Sequence, residues 1–451
     1  MLNFSRGVRY TSDVLKYVLT FLGLAAFCAP PLAYVYIHTP AVRDDKTHIR
    51  YMTWGNPTQV ATDKAVLERF MELNPDIVVE AITAPGGPYH QKLQVMLASN
   101  TAPDVFKMDL YWLPKYFPYG YFMPLNELDA KDPDFSFDDF YAQTKEELSY
   151  NGKIYGLNTL FGGKMMYYNK TAFQKAGLPD PWEQQQRGEW TFDAMLHAAK
   201  TLTVQGDRRI ERFGIRLDQG DLWWIIWGFG GDAIDKQHNV YLDKPETIAG
   251  LKFFHDLMHE HRVMPQPGEA AGGVLSFESG TIAMASGYAG ETPRLRKDIK
   301  VFDWDFVPVP RGPKGQYSLV KGNGLIINAK TKEVEASWRL VKFMNSREGE
   351  LAYCGPQLRR AAPTRISVSK DPEFLKHDGR PPFNTGAYEV LYATGRELPV
   401  TAKWQSWQTV WNEYIERMSM SKTNPDYRPP EVAGPEMARR VREILAQERP
   451  L

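Results

Sequence analysis

The chain has 451 residues, enough for two or three domains with sizeable cores. Lysine plus arginine number 54, as do aspartate plus glutamate, so there is no basic footprint for a nucleic acid partner. Cys28 and Cys354 are the two cysteines, which excludes a disulfide framework and a cysteine-rich zinc site, whereas 12 Trp, 23 Tyr and 23 Phe make a rich aromatic supply.

The first element is the uncharged run YVLTFLGLAAFCAPPLAYVYI, residues 17–37. As a helix it would extend roughly 31 Å, enough for a bilayer core. Arg6, Arg9 and Lys16 precede it against Asp13, which favours an inside N-terminus and an exported body. Residues 1–38 are therefore expected to hold an N-terminal apolar helix. A retained signal anchor, a cleaved signal peptide and a lipoprotein leader modified at Cys28 all fit. Residues 39–47 read as a linker.

The body opens with a strand, IRYMTW, and a helix whose Val66, Leu67, Phe70 and Leu73 share one side, stopped near Pro75. DIVVEAI is strand-like, a helix is predicted around Tyr89–Ala98, and DVFKM is another strand. This alternation implies an α/β fold with a mostly parallel sheet, in which ligands sit beyond the carboxyl ends of the strands. Trp54, Asn56 and Asp109 stand at such ends. Further along, NGKIYGLNTLFGGKMMYYNK reads as a hairpin or a crossing between domains. WTFDAMLHAAKTL is predicted helical with Thr191 as N-cap, and PETIAGLKFFHDLMHEH is predicted helical on Ile248, Leu251, Phe254 and Leu257. VLSFESGTIAMASGY predicts a short helix, a turn and a strand, and PEMARRVREILAQ a closing helix.

The order of these motifs, above all KLQVMLASNTAPDVFKMD, the YYNK crossing region, SFESGTIAMASGY and GNGLIINAKTKEVEASWRLVKFM, resembles the family-1 extracellular solute-binding proteins of ABC uptake systems, the maltose- and glycerol-phosphate-binding type. The resemblance implies a two-lobed periplasmic-binding-protein type II fold with a central cleft. It places residues 48–158 and 286–330 in lobe 1, residues 159–285 and 331–430 in lobe 2, and residues 431–451 in a closing helix. It implies a protein without catalysis or cofactor that closes on a ligand and presents it to membrane permease subunits, its body monomeric.

Sugar rings offer apolar faces and a rim of hydroxyls, so a sugar site needs aromatic platforms beside acids and amides. On that ground, and with the tryptophan run and Tyr288 put at the cleft by the resemblance, the substrate-binding candidates are Trp54, Asn56, Asp109, Tyr111, Asn158, Tyr167, Trp223, Trp227, Tyr288 and Arg359. Each has a structural alternative: packing under a loop for Trp54, helix capping for Asp109, core packing for the tryptophan run, and a solvated cluster for Arg359. Trp404 and Trp407 are placed near the mouth of the second lobe. His255 and His259 are four apart on a predicted helix, but its packing face is ordinary and no HExxH order exists, so no metal is expected. The ligand expected is a mono- or oligosaccharide, a polyol or a sugar phosphate. A binding protein feeding a sensory receptor and an exported carbohydrate-active enzyme are the other readings, although no carboxylate pair stands out.

Overall fold

The structure, a computed structural model, describes residues 45–207, 209–235, 237–269, 275–398 and 401–447. The apolar leader and most of the linker expected at 39–47 lie outside the described residues. Among the described residues, no helix is long and apolar enough to cross a membrane.

The chain enters through β1 (Thr47–Trp54), α1 (Pro57–Leu73), β2 (Ile77–Ala84), α2 (Gly86–Ala98) and β3 (Val105–Asp109). Asn56 starts α1 as a capping box, accepting from the Gln59 N–H at 3.0 Å while the Gln59 side chain accepts from the Asn56 N–H at 3.1 Å. Pro57 follows at the first helical position, where its missing N–H costs nothing. Val66, Leu67 and Phe70 are buried as the helical spacing predicts, but Leu73, the last residue of the helix, is 49% exposed. The stretch after Tyr150 is both things the sequence allowed. A hairpin pairs Ser149–Tyr150 with Lys153–Ile154, then β4 (Gly156–Asn158) and β5 (Gly162–Asn169) carry the chain from one sheet to another. Thr191 caps its predicted helix by accepting from the Ala194 N–H at 3.2 Å. Helices α3 (Trp223–Gly228) and α4 (Pro245–His259) precede β6 (Met284–Tyr288), β7 (Trp304–Pro308), β8 (Ser318–Lys321) and β9 (Asn323–Ile327). The described part of the predicted short helix before β6 forms turns instead. Last come α5 (Val334–Met344), α6 (Arg347–Cys354), α7 (Ala387–Thr394), β10 (Gly395–Arg396), α8 (Trp404–Ser419) and α9 (Pro430–Leu445).

These strands build two five-stranded sheets. The first runs β2–β1–β3–β9–β4, with β1 parallel to β2 and β3, and β9 antiparallel to both its neighbours. The second runs β6–β5–β8–β10, with β7 also pairing along β5. Met52, Tyr89, Leu93, Phe106 and Met108 pack in one core of the first lobe. The core of the second lobe is dominated by tryptophan: Trp190, Trp223, Trp224, Trp227, Trp407 and Trp411.

The lobe boundaries differ from those expected. Residues 286–321 do not return to the first lobe, because β6 is registered on β5 (Met284 opposite Tyr168, Tyr288 opposite Lys164) and β7 is registered on the same strand. The return comes at Gly322, which alone separates β8 from β9. Residues 334–354 then belong with the first lobe, since α5 packs on β9, β1 and α1, and α6 packs on α1. The closing helix starts at Pro430 and packs on α8 and α4 of the second lobe. The chain thus crosses between the lobes at residues 159–161, at Gly322 and again between α6 and β10, and the first two crossings are short and set the side chains beside them at the floor of the gap. Gly322 has to be glycine, because a Cβ there would lie 2.5 Å from Asn158 Oδ1 and 2.8 Å from Glu147 Oε2.

Candidate functional site

At the end of β3, Asp109 accepts from the Tyr111 N–H at 3.2 Å and so caps a single 3₁₀ turn, Leu110–Trp112. That turn carries Tyr111 across to the second lobe, where its ring stacks on Trp404 with centroids 4.3 Å apart and planes at 12°. The Lys321 ammonium, the last residue before the Gly322 link, lies 5.3 Å from the Tyr111 ring centroid and 5.5 Å from that of Tyr288. It donates to Asp221 Oδ1 at 2.7 Å. Asp221 Oδ2 accepts from the Tyr288 hydroxyl at 2.9 Å and lies 3.4 Å from Lys164, whose fully buried side chain also donates to Asp218 at 2.7 Å. Burial alone would raise the Asp221 pKa, but the positive charges of Lys164 and Lys321 win and hold it below the usual carboxylate range. Burial has the upper hand at Asp109, whose pKa is raised despite the Tyr111 N–H and Lys321.

A second group of acids lies beside this ion network. Glu147, following a short helix of the first lobe, accepts from the Asn158 amide through Oε2. Across the gap Glu397, just after β10 in the second lobe, lines the same cavity as Glu147. Burial raises the Glu147 pKa against the lowering influence of the Asn158 bond. Glu147 and Glu397 open onto an inter-lobe cavity of about 650 Å³. Its walls include Phe117 and Tyr150, stacked on each other at 4.7 Å and 4°, and Arg396, which is paired with Asp232 and lies 4.7 Å over the Trp227 ring.

Of the candidates named from sequence, Asp109, Tyr111, Asn158 and Tyr288 gather at the floor of the gap. The others serve the fold. Trp54 is half-buried against Tyr89 and His90, at 4.6 and 5.1 Å, within the first lobe, and Asn56 is spent as a helix cap. Tyr167 is a core residue, its ring against Phe277, Trp304 and Phe306 and its hydroxyl donating to the Tyr288 carbonyl at 2.7 Å. Trp223 is fully buried on Trp411 at 3.8 Å, because all of α3 is enclosed. Trp227 is 1% exposed, donates to Asp232 Oδ1 at 3.0 Å and stands behind Arg396, so it backs the cavity wall rather than facing a ligand. Arg359 is 1% exposed and donates to the carbonyls of Phe374 and Lys376, which ties down its own loop. Of the two later tryptophans, Trp404 reaches the gap and Trp407 is buried.

Lys164, Asp221, Lys321, Glu147 and Glu397 were missed. Only the adjacency of Asp221 to the tryptophan run and of Lys321 to the glycine pair Gly322 and Gly324 pointed toward them. No group of acids, histidines or cysteines among the described residues could hold a metal ion.

Two α/β lobes on short links, with ionised and aromatic side chains gathered from both at the floor of a cavity, define a two-domain binding protein of the periplasmic type. The profile of the bacterial extracellular solute-binding proteins matches residues 54–351, and the chain belongs to that family. A putative binding protein of Brucella abortus (strain 2308) is 20% identical over 376 residues, 80% of this chain and 85% of that protein. The maltotriose-binding protein of Pyrococcus abyssi is 26% identical over 212 residues, 46% of this chain and 42% of its own length. An ABC substrate-binding protein of Listeria monocytogenes, solved in complex with cycloalternan, superposes with a TM-score of 0.77 at 23% identity, covering 90% of this chain and 100% of that one.

Proposed function

We propose that the protein is the extracytoplasmic capture component of an ABC importer. It takes a carbohydrate into the inter-lobe cavity and passes it, unchanged, to membrane permease subunits. The observation that carries this reading is the cavity itself: about 650 Å³, walled by both lobes, with stacked aromatic rings beside acids. Aromatic faces supply apolar area to a sugar ring and the acids fix its hydroxyls. Leaving such a buried group unpaired costs about 1–3 kcal/mol, so the polar set selects the ligand. Relatives described as binding maltotriose or cycloalternan support the carbohydrate class. Tethering to the membrane through residues 17–37 belongs to the same proposal.

A thermal-shift screen of the full chain against mono- and oligosaccharides tests it. A ligand present at about 100 times its Kd adds about 2.7 kcal/mol to apparent stability. Saccharides that leave the melting curve unmoved at millimolar concentration, with a non-sugar solute moving it, would remove the carbohydrate assignment. Reconstituted uptake with a permease separates import from sensing.

A further inference from the structure

We propose that the narrow space between Arg360 and the first turns of α1 is an anion site, which takes one small singly charged anion of halide or carboxylate size where the two lobes meet. It shares no residue with the carbohydrate cavity, so it stands or falls apart from the reading above.

The space is a cavity of about 30 Å³. Thr58, Gln59 and Thr62 of α1 line it from the first lobe, and Gly290 and Pro293, which follow β6, line it from the second. Arg360, in the crossing segment after α6, lines it too. A water needs roughly 10–15 Å³, so the volume suits a halide ion or the head of a carboxylate rather than a sugar ring.

What marks the site is a cation without a counterion. Among the described residues Arg360 makes no ion pair, its Nη1 is buried without a hydrogen-bond acceptor, and its guanidinium lies 5.7 Å from the centre of the Tyr353 ring. The acids near it are spent. Asp63, whose charge acts on Arg360, already takes Lys107, Thr53 and Tyr353, each at 2.6 Å. Lys107 and Arg360 also repel each other, so two cations share one carboxylate and one positive charge is left over. Glu291, the acid on the cavity wall, is held by Arg294 at 2.7 Å, and Arg294 is itself paired with Glu278 as well. Burial lowers the Arg360 pKa more than Asp63 raises it. A buried charge without a partner is costly, and guanidinium cannot escape by losing its proton, so an anion is what relieves it. The planar fork of donors suits two carboxylate oxygens or one halide. Because the walls come from both lobes, the anion is enclosed only when they meet, and its binding favours the closed form.

Chloride is the probe, followed through the broadening of its NMR line by the full chain, with fluoride holding the ionic strength constant. The parent is expected to show a saturable broadening that acetate reverses, and Arg360→Met to lose it. Thr58→Glu should lose it too, because it sets a carboxylate on the exposed first turn of α1, where the helix dipole favours one, in the same cavity as Arg360. That variant keeps the arginine and decides the matter should Arg360→Met fail to fold by circular dichroism. No saturable broadening in the parent, broadening that survives in the folded variants, or sulfate competing better than acetate would each overturn the proposal. Acetate binding more tightly than chloride assigns the site to the acid group of an organic ligand, and the reverse order to an inorganic halide. Small-angle scattering should give the parent a smaller radius of gyration in chloride than in fluoride, with no such difference in Arg360→Met; equal radii in the parent would overturn the coupling to closure.

Discussion

Two polar groups of side chains, one inside the first lobe and one at the gap, differ in how completely they are partnered. In the first, Lys107 on β3 meets Asp63 on α1 at 2.6 Å, with side chains 6% and 3% exposed. Asp63 also accepts from the Thr53 and Tyr353 hydroxyls, each at 2.6 Å. Burial alone would raise the Asp63 pKa, but Lys107 and those hydroxyls lower it, so the carboxylate is kept ionised. In the second, Glu147 Oε1, Asn158 Oδ1 and the Tyr111 hydroxyl are buried without partners. A buried polar group without a partner costs free energy that folding does not return. The fold has completed its own internal pair and left these three atoms at the gap without protein partners.

The sharpest way to break that comparison is to open the closed pair. Lys107→Met leaves Asp63 buried without its cation, and the loss should be about 3–5 kcal/mol by urea unfolding. Glu147→Gln should cost far less. Equal losses would erase the distinction between the two groups.

A second effect, about 3 kcal/mol at most, comes from His90. Its ring stacks on Trp112 at 4.9 Å and its Nε2 accepts from the Asp109 N–H at 3.1 Å, so the ring is needed neutral. Burial pushes its pKa down to about 4. A histidine depressed in the folded state contributes stability that is present above the unfolded value near 6.5 and is lost as pH falls toward 4. Acid denaturation followed between those limits should therefore be less steep in His90→Gln than in the parent. Parallel curves would show that the ring is not the titrating group.

Much of the fold was legible because it rests on local rules. The β–α alternation through Asp109, the Thr191 cap and the helix from Pro245 follow from apolar spacing and turn residues. The lobe boundary was not, because it depends on which edge of β5 receives residues 284–308, a register that no local pattern encodes. At the gap, strand ends gave Asp109, and Tyr111 followed from it. The tryptophan run misled: six consecutive buried residues, Trp223–Gly228, look alike in sequence whether they face a sugar or a core. Lysines and glutamates such as Lys321, Glu147 and Glu397 are common on any surface, and only the crossings between the lobes bring them together.

The smallest effect bears on how the gap stays closed. Tyr111 and Trp404 come from opposite lobes, and their stack spans the gap. Aromatic pairs of this geometry contribute about 0.5–1.5 kcal/mol. That shifts a two-state equilibrium by only a few-fold to about tenfold, enough to matter when open and closed forms differ by a few kcal/mol. Burial and the nearby acids, Asp221, Asp109, Glu147 and Glu397, all raise the Tyr111 pKa, so the hydroxyl remains a donor. Tyr111→Ala and Trp404→Ala should each enlarge the ligand-free radius of gyration measured by small-angle scattering. The double variant should go little further, because either substitution already removes the contact. If neither change alters the scattering, the links rather than the rings set the gap, and closure would have to come from the Lys321–Asp221–Tyr288 network that joins the first-lobe ring of Tyr111 to the second lobe.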